Sequence, residues 1–90
     1  MRTYTVVLER EDDGGFSVSV PALPGCYTQG DDLENALANA REAIQCHVEA
    51  LAMDGEAIPG DVSDFDLLGL HASDVLIRRV SIGEEALAVA

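Results

Sequence analysis

Ninety residues allow one small domain, and a hydrophobic share of 48% with interspersed charges is typical of a globular chain rather than a disordered one. Acidic residues outnumber basic ones by 17 to 5, for a formal net charge of -12, which argues against direct binding to nucleic acid and favours a basic protein partner if the charge does more than keep the chain soluble. The sequence shows no signal peptide and no apolar run near the ~20 residues of a membrane helix, so we expect a cytoplasmic protein.

The first two predicted elements are strands joined by a tight turn. Apolar and polar residues alternate over residues 3–10 and again over residues 16–20. Between them lies Asp13-Gly14-Gly15, and glycine tolerates the positive φ that tight turns require. These segments therefore predict a β-hairpin.

A loop with two prolines follows the hairpin. Pro21 and Pro24 have no backbone N–H to donate, so they end the ladder of strand hydrogen bonds, and Gly25 turns the chain. Residues 26–29 are long enough for a short third strand, which Gly30 ends.

The longest predicted element is a helix that crosses the sheet. Asp31 is predicted to cap it, with Glu34 three residues later as in a capping box, and Gly55 is predicted as its C-cap. At 1.5 Å per residue its length is about 33 Å. Apolar residues recur along one side at steps of three and four: Leu33, Ala36, Leu37, Ala40, Ile44, Val48 and Leu51.

Beyond the helix the pattern is weaker. Residues 58–66 read as an irregular connection, and residues 67–70 as a segment that packs on the body. The β-branched residues of Val75–Ile82 predict a fourth strand, whose pairing within its own chain or with a second copy stays open, and residues 84–90 form a short tail.

The element order β-β-β-α-β predicts an α+β fold, with the helix packed on one face of the sheet. We expect one domain over residues 1–90. The other sheet face is predicted to be a flat contact surface, too polar for a core, formed by Thr3, Thr5, Val7, Ser17 and Ser19.

An ordered set of motifs carries a family resemblance. These are Val-Pro-Ala-Leu-Pro-Gly-Cys-Tyr-Thr-Gln-Gly-Asp at residues 20–31, Leu-Glu-Asn-Ala at 33–36 and Arg-Glu-Ala-Ile at 41–44. Together with the preceding strand and acidic glycine turn, they resemble the HicB family of antitoxins over about residues 4–59. Residues 1–59 are thus the family-like core, and residues 60–90 supply the connection, the fourth strand and the tail.

The resemblance implies a partial RNase H-like sheet, a homo-oligomer (dimer or tetramer), and neutralisation of HicA, a small basic toxin that cleaves RNA. It implies neither catalysis nor a cofactor. Many members carry a ribbon-helix-helix or helix-turn-helix module after this core, whereas residues 60–90 here predict one strand and a short tail. We therefore do not expect DNA binding, and a stand-alone oligomeric module with no dedicated toxin is the alternative.

Three groups of residues are candidates for function. The signature loop is predicted to be mainly structural, with Pro21, Pro24, Gly25, Cys26 and Gly30. The exposed helix flank is the candidate toxin-facing surface, with Glu34, Glu42 and Glu49. The last strand is the candidate oligomer edge, with Val75, Ile77 and Val80.

Two kinds of chemistry are less favoured by the sequence pattern. A two-metal nuclease would need converging carboxylates, for which Glu9, Glu11, Asp12 and Asp13 are the candidates, but acids in a hairpin turn usually face solvent. Zinc would need ligands brought together from separate elements, because Cys26, Cys46, His47 and His71 lack ligand spacing. The two cysteines, without a CxxC motif, are expected to be reduced thiols.

Overall fold

One antiparallel sheet with a long helix on one face carries the fold. The structure is a computed structural model that describes residues 2–62 and 75–83. In chain order the elements are β1 (Arg2–Arg10), β2 (Phe16–Ser19), β3 (Tyr27–Gly30), α1 (Leu33–Met53) and β4 (Val75–Ile82). The sheet order is β3-β2-β1-β4, and every neighbouring pair is antiparallel. The predicted α+β fold and its β-β-β-α-β order are confirmed.

The hairpin turn between β1 and β2 forms as its glycines predict. The Glu11 N–H donates to the carbonyl of Gly15 at 2.8 Å, and the Gly14 N–H returns to the carbonyl of Glu11 at 3.0 Å. Gly14 has a φ of 91°, which a residue with a Cβ rarely adopts. The Asp13 carboxylate accepts the Gly15 N–H at 2.9 Å and so stabilises the turn from within.

The helix begins one residue later than predicted. Asp32, not Asp31, is the N-cap, and its carboxylate accepts the Asn35 N–H at 2.7 Å. The Asn35 side chain in turn accepts the Asp31 N–H at 2.9 Å, so Asn35 takes the reciprocal role that was predicted for Glu34. Two adjacent aspartates can each cap a helix, and Leu33, the first helical residue after Asp32, packs against the core.

The helix ends at the predicted glycine. Asp54 is the C-cap, and Gly55 follows it with a φ of 70°. The Gly55 N–H donates to the carbonyl of Ala52 at 3.1 Å, and the Glu56 N–H donates to that of Leu51 at 2.9 Å. This pair of bonds is a Schellman motif, which satisfies the last carbonyls of the helix and turns the chain back toward the sheet.

The core lies between the helix and the sheet. Tyr4, Val6 and Leu8 of the central strand are at most 1% exposed, and the predicted helical stripe packs on them. Four stripe residues are fully buried: Ala36, Ala40, Ile44 and Val48. Three others are half-buried: Leu33, Leu37 and Leu51. The predicted amphipathic packing is thus confirmed.

The opposite sheet face, called the open face below, carries Thr3, Thr5, Val7, Glu9, Ser17, Ser19, Tyr27, Ile77 and Arg79 by the strand register. It is not uniformly exposed, and the prediction of a flat contact surface was wrong for Thr5 and Val7, which are 0% and 4% exposed. The predicted packing segment at residues 67–70, His71 and the tail at 84–90 lie outside the described residues.

Candidate partner-binding surface

One end of the sheet gathers acidic side chains from two turns. Phe16 at the start of β2 pairs with Gly30 at the end of β3, so the β1–β2 turn and the β3–α1 turn lie side by side. We call this end the acidic pole; it consists of Glu11, Asp12, Asp13, Asp31 and Asp32, all exposed. Such a cluster of one sign creates a local field that attracts cationic partners.

The acidic surface continues along the exposed side of α1. Glu42 and Glu49 are seven residues apart, nearly two helical turns, and line one shallow groove with Arg41 and Gln45. Glu34 is exposed in the first turn and stands outside this groove, toward the acidic pole. The structure therefore brings two of the three predicted partner residues together and places the third at the junction between groove and pole.

The signature loop covers part of the core by burying one of its side chains. Leu23 is fully buried, and hydrogen bonds join the Val20 N–H to the carbonyl of Cys26 at 3.2 Å and the Cys26 N–H to the carbonyl of Leu23 at 3.0 Å. Pro21 and Pro24 are exposed, and Gly25 turns the chain with a φ of 87°. The loop is thus closed on itself around one apolar anchor.

Gly30 has a different structural role from the rest of the loop. A Cβ built on it would lie 2.3 Å from the Ala36 backbone nitrogen and 2.4 Å from the Ala36 Cα. No side chain fits in that space, so the glycine is what lets the first turn of α1 pack directly on β3.

Sequence reasoning missed Asp61. Its carboxylate accepts the Thr5 N–H and the Thr5 hydroxyl, each at 2.8 Å, and lies 3.7 Å from the Arg79 guanidinium. The Tyr4 hydroxyl also donates to the carbonyl of Pro59, two residues earlier. β2 pairs only with residues 7–10 of β1, so it does not reach Thr5. Asp61 accepts the hydrogen bonds of Thr5 instead, and Thr5 is buried on the open face.

The strand β4 forms an edge of the sheet and pairs with β1 of its own chain. The Thr5 N–H donates to Asp61 and so points away from β4, which makes Thr5 and Arg79 a pair without mutual backbone hydrogen bonds. Such pairs occur at every second position of an antiparallel ladder, so the backbone groups of Ile77, Arg79 and Ser81 point to the free edge. Arg41 donates to the carbonyl of Ser81 at 3.1 Å, and Arg78 donates to that of Ile77 at 2.9 Å. Of the side chains predicted at this edge, Val80 is buried in the core, Val75 is half-buried and Ile77 is exposed on the open face.

The residues considered for chemistry are spread over several surfaces. Glu9 is on the open face and Glu11 to Asp13 are exposed in the turn, and no group of three or more potential metal ligands occurs within residues 2–62 and 75–83. Cys26 is buried and Cys46 is exposed. Burial raises the pKa of the Cys26 thiol above its ordinary value, and electrostatic repulsion from the neighbouring Cys46 raises that pKa further. No helix in the described part of the chain is long and apolar enough to cross a membrane.

Comparisons with known proteins agree on one family. The model of the HicB-like antitoxins of bacterial toxin–antitoxin systems matches residues 4–74. A UPF0150 protein of Thermoplasma acidophilum is 48% identical over 58 residues, which cover 64% of this chain and 84% of that protein. The solved N-terminal domain of the Burkholderia pseudomallei antitoxin HicB superposes with a TM-score of 0.76 at 26% identity, over 90% of this chain and 98% of that one.

The fold also recurs in a toxin–antitoxin complex of HicA3 and HicB3, with a TM-score of 0.72 at 24% identity, over 90% of this chain and 98% of that one. The family match extends beyond the signature loop and the helix to the connection that contains Asp61, and it spans most of the described sheet. The chain therefore belongs to the family of HicB-like antitoxins of bacterial toxin–antitoxin systems.

Proposed function

We propose that this chain neutralises a small basic RNA-cleaving toxin of the HicA type by covering the surface with which that toxin binds RNA. The observation that carries the proposal is the set of acids at the acidic pole and along one side of α1, with Glu34 in the first turn and Glu42 and Glu49 in the helix groove. Family membership supports the role, and the fold shared with an antitoxin in complex with HicA3 supports the class of partner.

Electrostatics explains why this surface suits such a partner. A protein that binds RNA presents Lys and Arg to the phosphates, and an acidic protein surface competes for the same cations. Within the described residues, the helix groove holds only one basic side chain, Arg41, and its guanidinium is already hydrogen-bonded to β4. The carboxylates of the groove are thus available to a partner.

Co-expression with the small basic reading frame nearest to its gene tests the proposal. We expect the chain to restore growth to cells that express the toxin, to co-purify with it, and to stop its cleavage of RNA in vitro. Binding is expected to weaken as salt rises, because screening reduces the attraction between charged surfaces. If no adjacent frame gives toxicity, rescue or a complex, the alternative of a stand-alone oligomeric module is favoured instead.

A charge-reversal variant locates the contact. Changing Glu34, Glu42 and Glu49 together to Lys is expected to raise the Kd for the toxin by tenfold or more, that is, to cost at least about 1.4 kcal/mol of binding free energy. The matched control changes three other exposed acids to Lys, Glu9 on the open face and Asp54 and Glu56 at the end of the helix, so that both variants change the net charge by the same amount. Equal effects of the two variants, measured by titration calorimetry, would mean that net charge alone matters and that the groove is not the contact.

We further propose that a second copy pairs with the free edge of β4, the strand in which the sequence predicted Val75, Ile77 and Val80 as edge residues. Ile77 points its backbone groups to that edge, whereas Val80 packs into the core. Ile77→Pro tests it, because the lost N–H points to the free edge and makes no bond to β1. Light scattering is expected to find a dimer or tetramer for the wild type and a monomer for the variant. Tyr27→Ala, on the opposite edge strand β3, serves as the control that keeps the wild-type mass. An unchanged mass in folded Ile77→Pro contradicts edge pairing.

A further inference from the structure

The two cysteines lie on facing sides of the contact between β3 and α1. Thr28 of β3 pairs with the core residue Val18, so its side chain faces the helix, and by strand alternation so does that of Cys26 two residues earlier. On the helix, Cys46 lines the same depression as Thr28, together with Asn39 and Ala43. Both thiols therefore border one interface.

Counting along both elements brings the thiols to the same height. Gly30 contacts Ala36, and the carbonyl of Gln29 accepts a hydrogen bond from the Asn39 side chain at 2.8 Å. The helix therefore runs in the opposite direction to β3, so that later helix residues lie beside earlier strand residues. From Gly30 back to Cys26 the strand covers about 13 Å. From Ala36 forward to Cys46 the helix rises about 15 Å. By this count, Cys26 and Cys46 lie at about the same height along the two packed elements.

We propose that Cys26 and Cys46 form a reversible intramolecular disulfide, in which the exposed Cys46 reacts first and the buried Cys26 resolves the intermediate. The different exposure of the two thiols sets this order, because an incoming oxidant reaches Cys46 from solvent and does not reach Cys26, which is 4% exposed. Burial raises the pKa of the Cys26 thiol, which lowers its reactivity toward an external disulfide and agrees with its reacting second.

The chemistry is thiol–disulfide exchange with a low-molecular-weight disulfide such as glutathione disulfide. The Cys46 thiolate attacks one sulfur of the reagent, forms a mixed disulfide and releases one glutathione thiolate. Cys26 then attacks the Cys46 sulfur, which forms the internal disulfide and releases the second glutathione as a thiol that carries the Cys26 proton. Two protein thiols are oxidised, and one reagent disulfide is reduced to two thiols.

The internal disulfide would fasten the signature loop to the middle of the helix. Cys26 closes that loop through backbone hydrogen bonds with Val20 and Leu23. A covalent link to Cys46 would therefore join the signature loop to α1. The link closes a loop of about twenty residues, which restricts the unfolded chain. The oxidised protein is therefore expected to resist urea better than the reduced protein.

Treatment of the folded full chain with glutathione disulfide, followed by mass spectrometry, tests the proposal. We expect the mass of the wild type to fall by two hydrogen atoms, with no added glutathione. Its elution volume in size-exclusion chromatography without reductant is expected to stay the same. Cys26→Ala is expected to stop with one glutathione on Cys46, and Cys46→Ser to stay unmodified while folded. A wild type that ends with glutathione on Cys46 and a free Cys26, or with chains linked to each other, overturns the proposal.

A measurement on the wild type alone covers the case in which Cys26→Ala does not fold. The urea midpoint of the oxidised wild type is compared with that of the same sample after reduction by dithiothreitol. A higher midpoint for the oxidised form supports a disulfide that fits the native structure, and an equal or lower midpoint overturns it.

Discussion

Asp61 joins the connection after the helix to two strands of the sheet. Its carboxylate receives two hydrogen bonds from Thr5 and lies near Arg79, and its side chain is only 18% exposed. Thr5 is fully buried, so without Asp61 its backbone N–H would have no acceptor on that side of β1. A buried donor left without a partner costs about 1–3 kcal/mol, more than the ion pair with the exposed Arg79 contributes.

The substitution Asp61→Ala is expected to lower the free energy of unfolding by about 1–3 kcal/mol, because it removes both acceptors of Thr5. Urea denaturation followed by circular dichroism measures the change. Glu56→Ala removes the same charge from an exposed site in the same connection and is expected to change stability by less than about 0.5 kcal/mol. Equal losses in the two variants would show that the contact with Thr5 does not stabilise the fold.

Single-residue roles were the hardest to predict from the sequence. Asp61 stands in an acidic stretch and acts on a threonine 56 positions away, and local pattern does not tell which aspartate turns inward. The choice of Asp32 over Asp31 as N-cap is similar, since both have the side chain that caps helices. By contrast, Gly14 and Gly55 were predictable because positive φ is a local requirement.

The contact between β3 and α1 depends on a missing side chain at Gly30. Ala36 occupies the volume that a Cβ at Gly30 would need, and the close approach brings the helix against the strand along its first turns. This contact also aligns Asn39 with Gln29 and Cys46 with the side of Thr28. The position of the helix, and hence of its acidic groove, is thus set at this glycine.

The substitution Gly30→Ala is expected to destabilise the protein by about 1–3 kcal/mol, because the new methyl group meets the Ala36 backbone and the helix must shift. Thermal unfolding measures the loss. Gly60→Ala is the matched control, since a Cβ there meets nothing within 4 Å and its φ lies outside the left-handed region, so we expect no loss. A Gly30→Ala protein as stable as the wild type would mean that helix and strand separate at little cost.

Elements were predicted better than their arrangement. The bounds of β4 agree with the β-branched run at Val75–Ile82, and the other strands agree to within a residue at each end. Local pattern could not tell that β4 pairs with β1 at the edge of the sheet, because pairing depends on contacts between distant residues. Of the three glutamates predicted on the exposed helix flank, Glu34 and Glu42 are exposed and Glu49 is half-buried, and the nearness of the two turns that form the acidic pole follows only from the strand register.

Charge acts on the molecule as a whole. The net charge is -12, and the acidic pole concentrates part of it at one end of the sheet. Like charges held together in the folded state repel one another and reduce stability, and salt screens that repulsion. In the isolated protein, repulsion within the acidic surface that is proposed to attract the partner is therefore expected to lower the free energy of unfolding.

Sodium chloride is expected to raise the urea midpoint of the wild type between about 0.02 M and 0.5 M, as the screening length falls well below 10 Å. A variant with Glu11→Gln, Asp12→Asn and Asp13→Asn keeps the shape of the turn and is expected to show a smaller rise. Denaturation curves at matched salt concentrations measure both. A salt response that is unchanged in the variant would place the repulsion elsewhere on the molecule.

The pairing of β1 with β4 has a consequence for how the chain folds. Glu9 pairs with Val75 and Arg2 with Ile82, across 66 and 80 positions of sequence. Contacts of such long range slow folding, because a long loop must close before they form, whereas the hairpin and the β3–α1 contact are nearly local. On the ribosome, β1 is therefore made well before β4 and keeps one edge unpaired until residues 75–82 have been added, so the growing chain exposes a strand edge to aggregation during that interval.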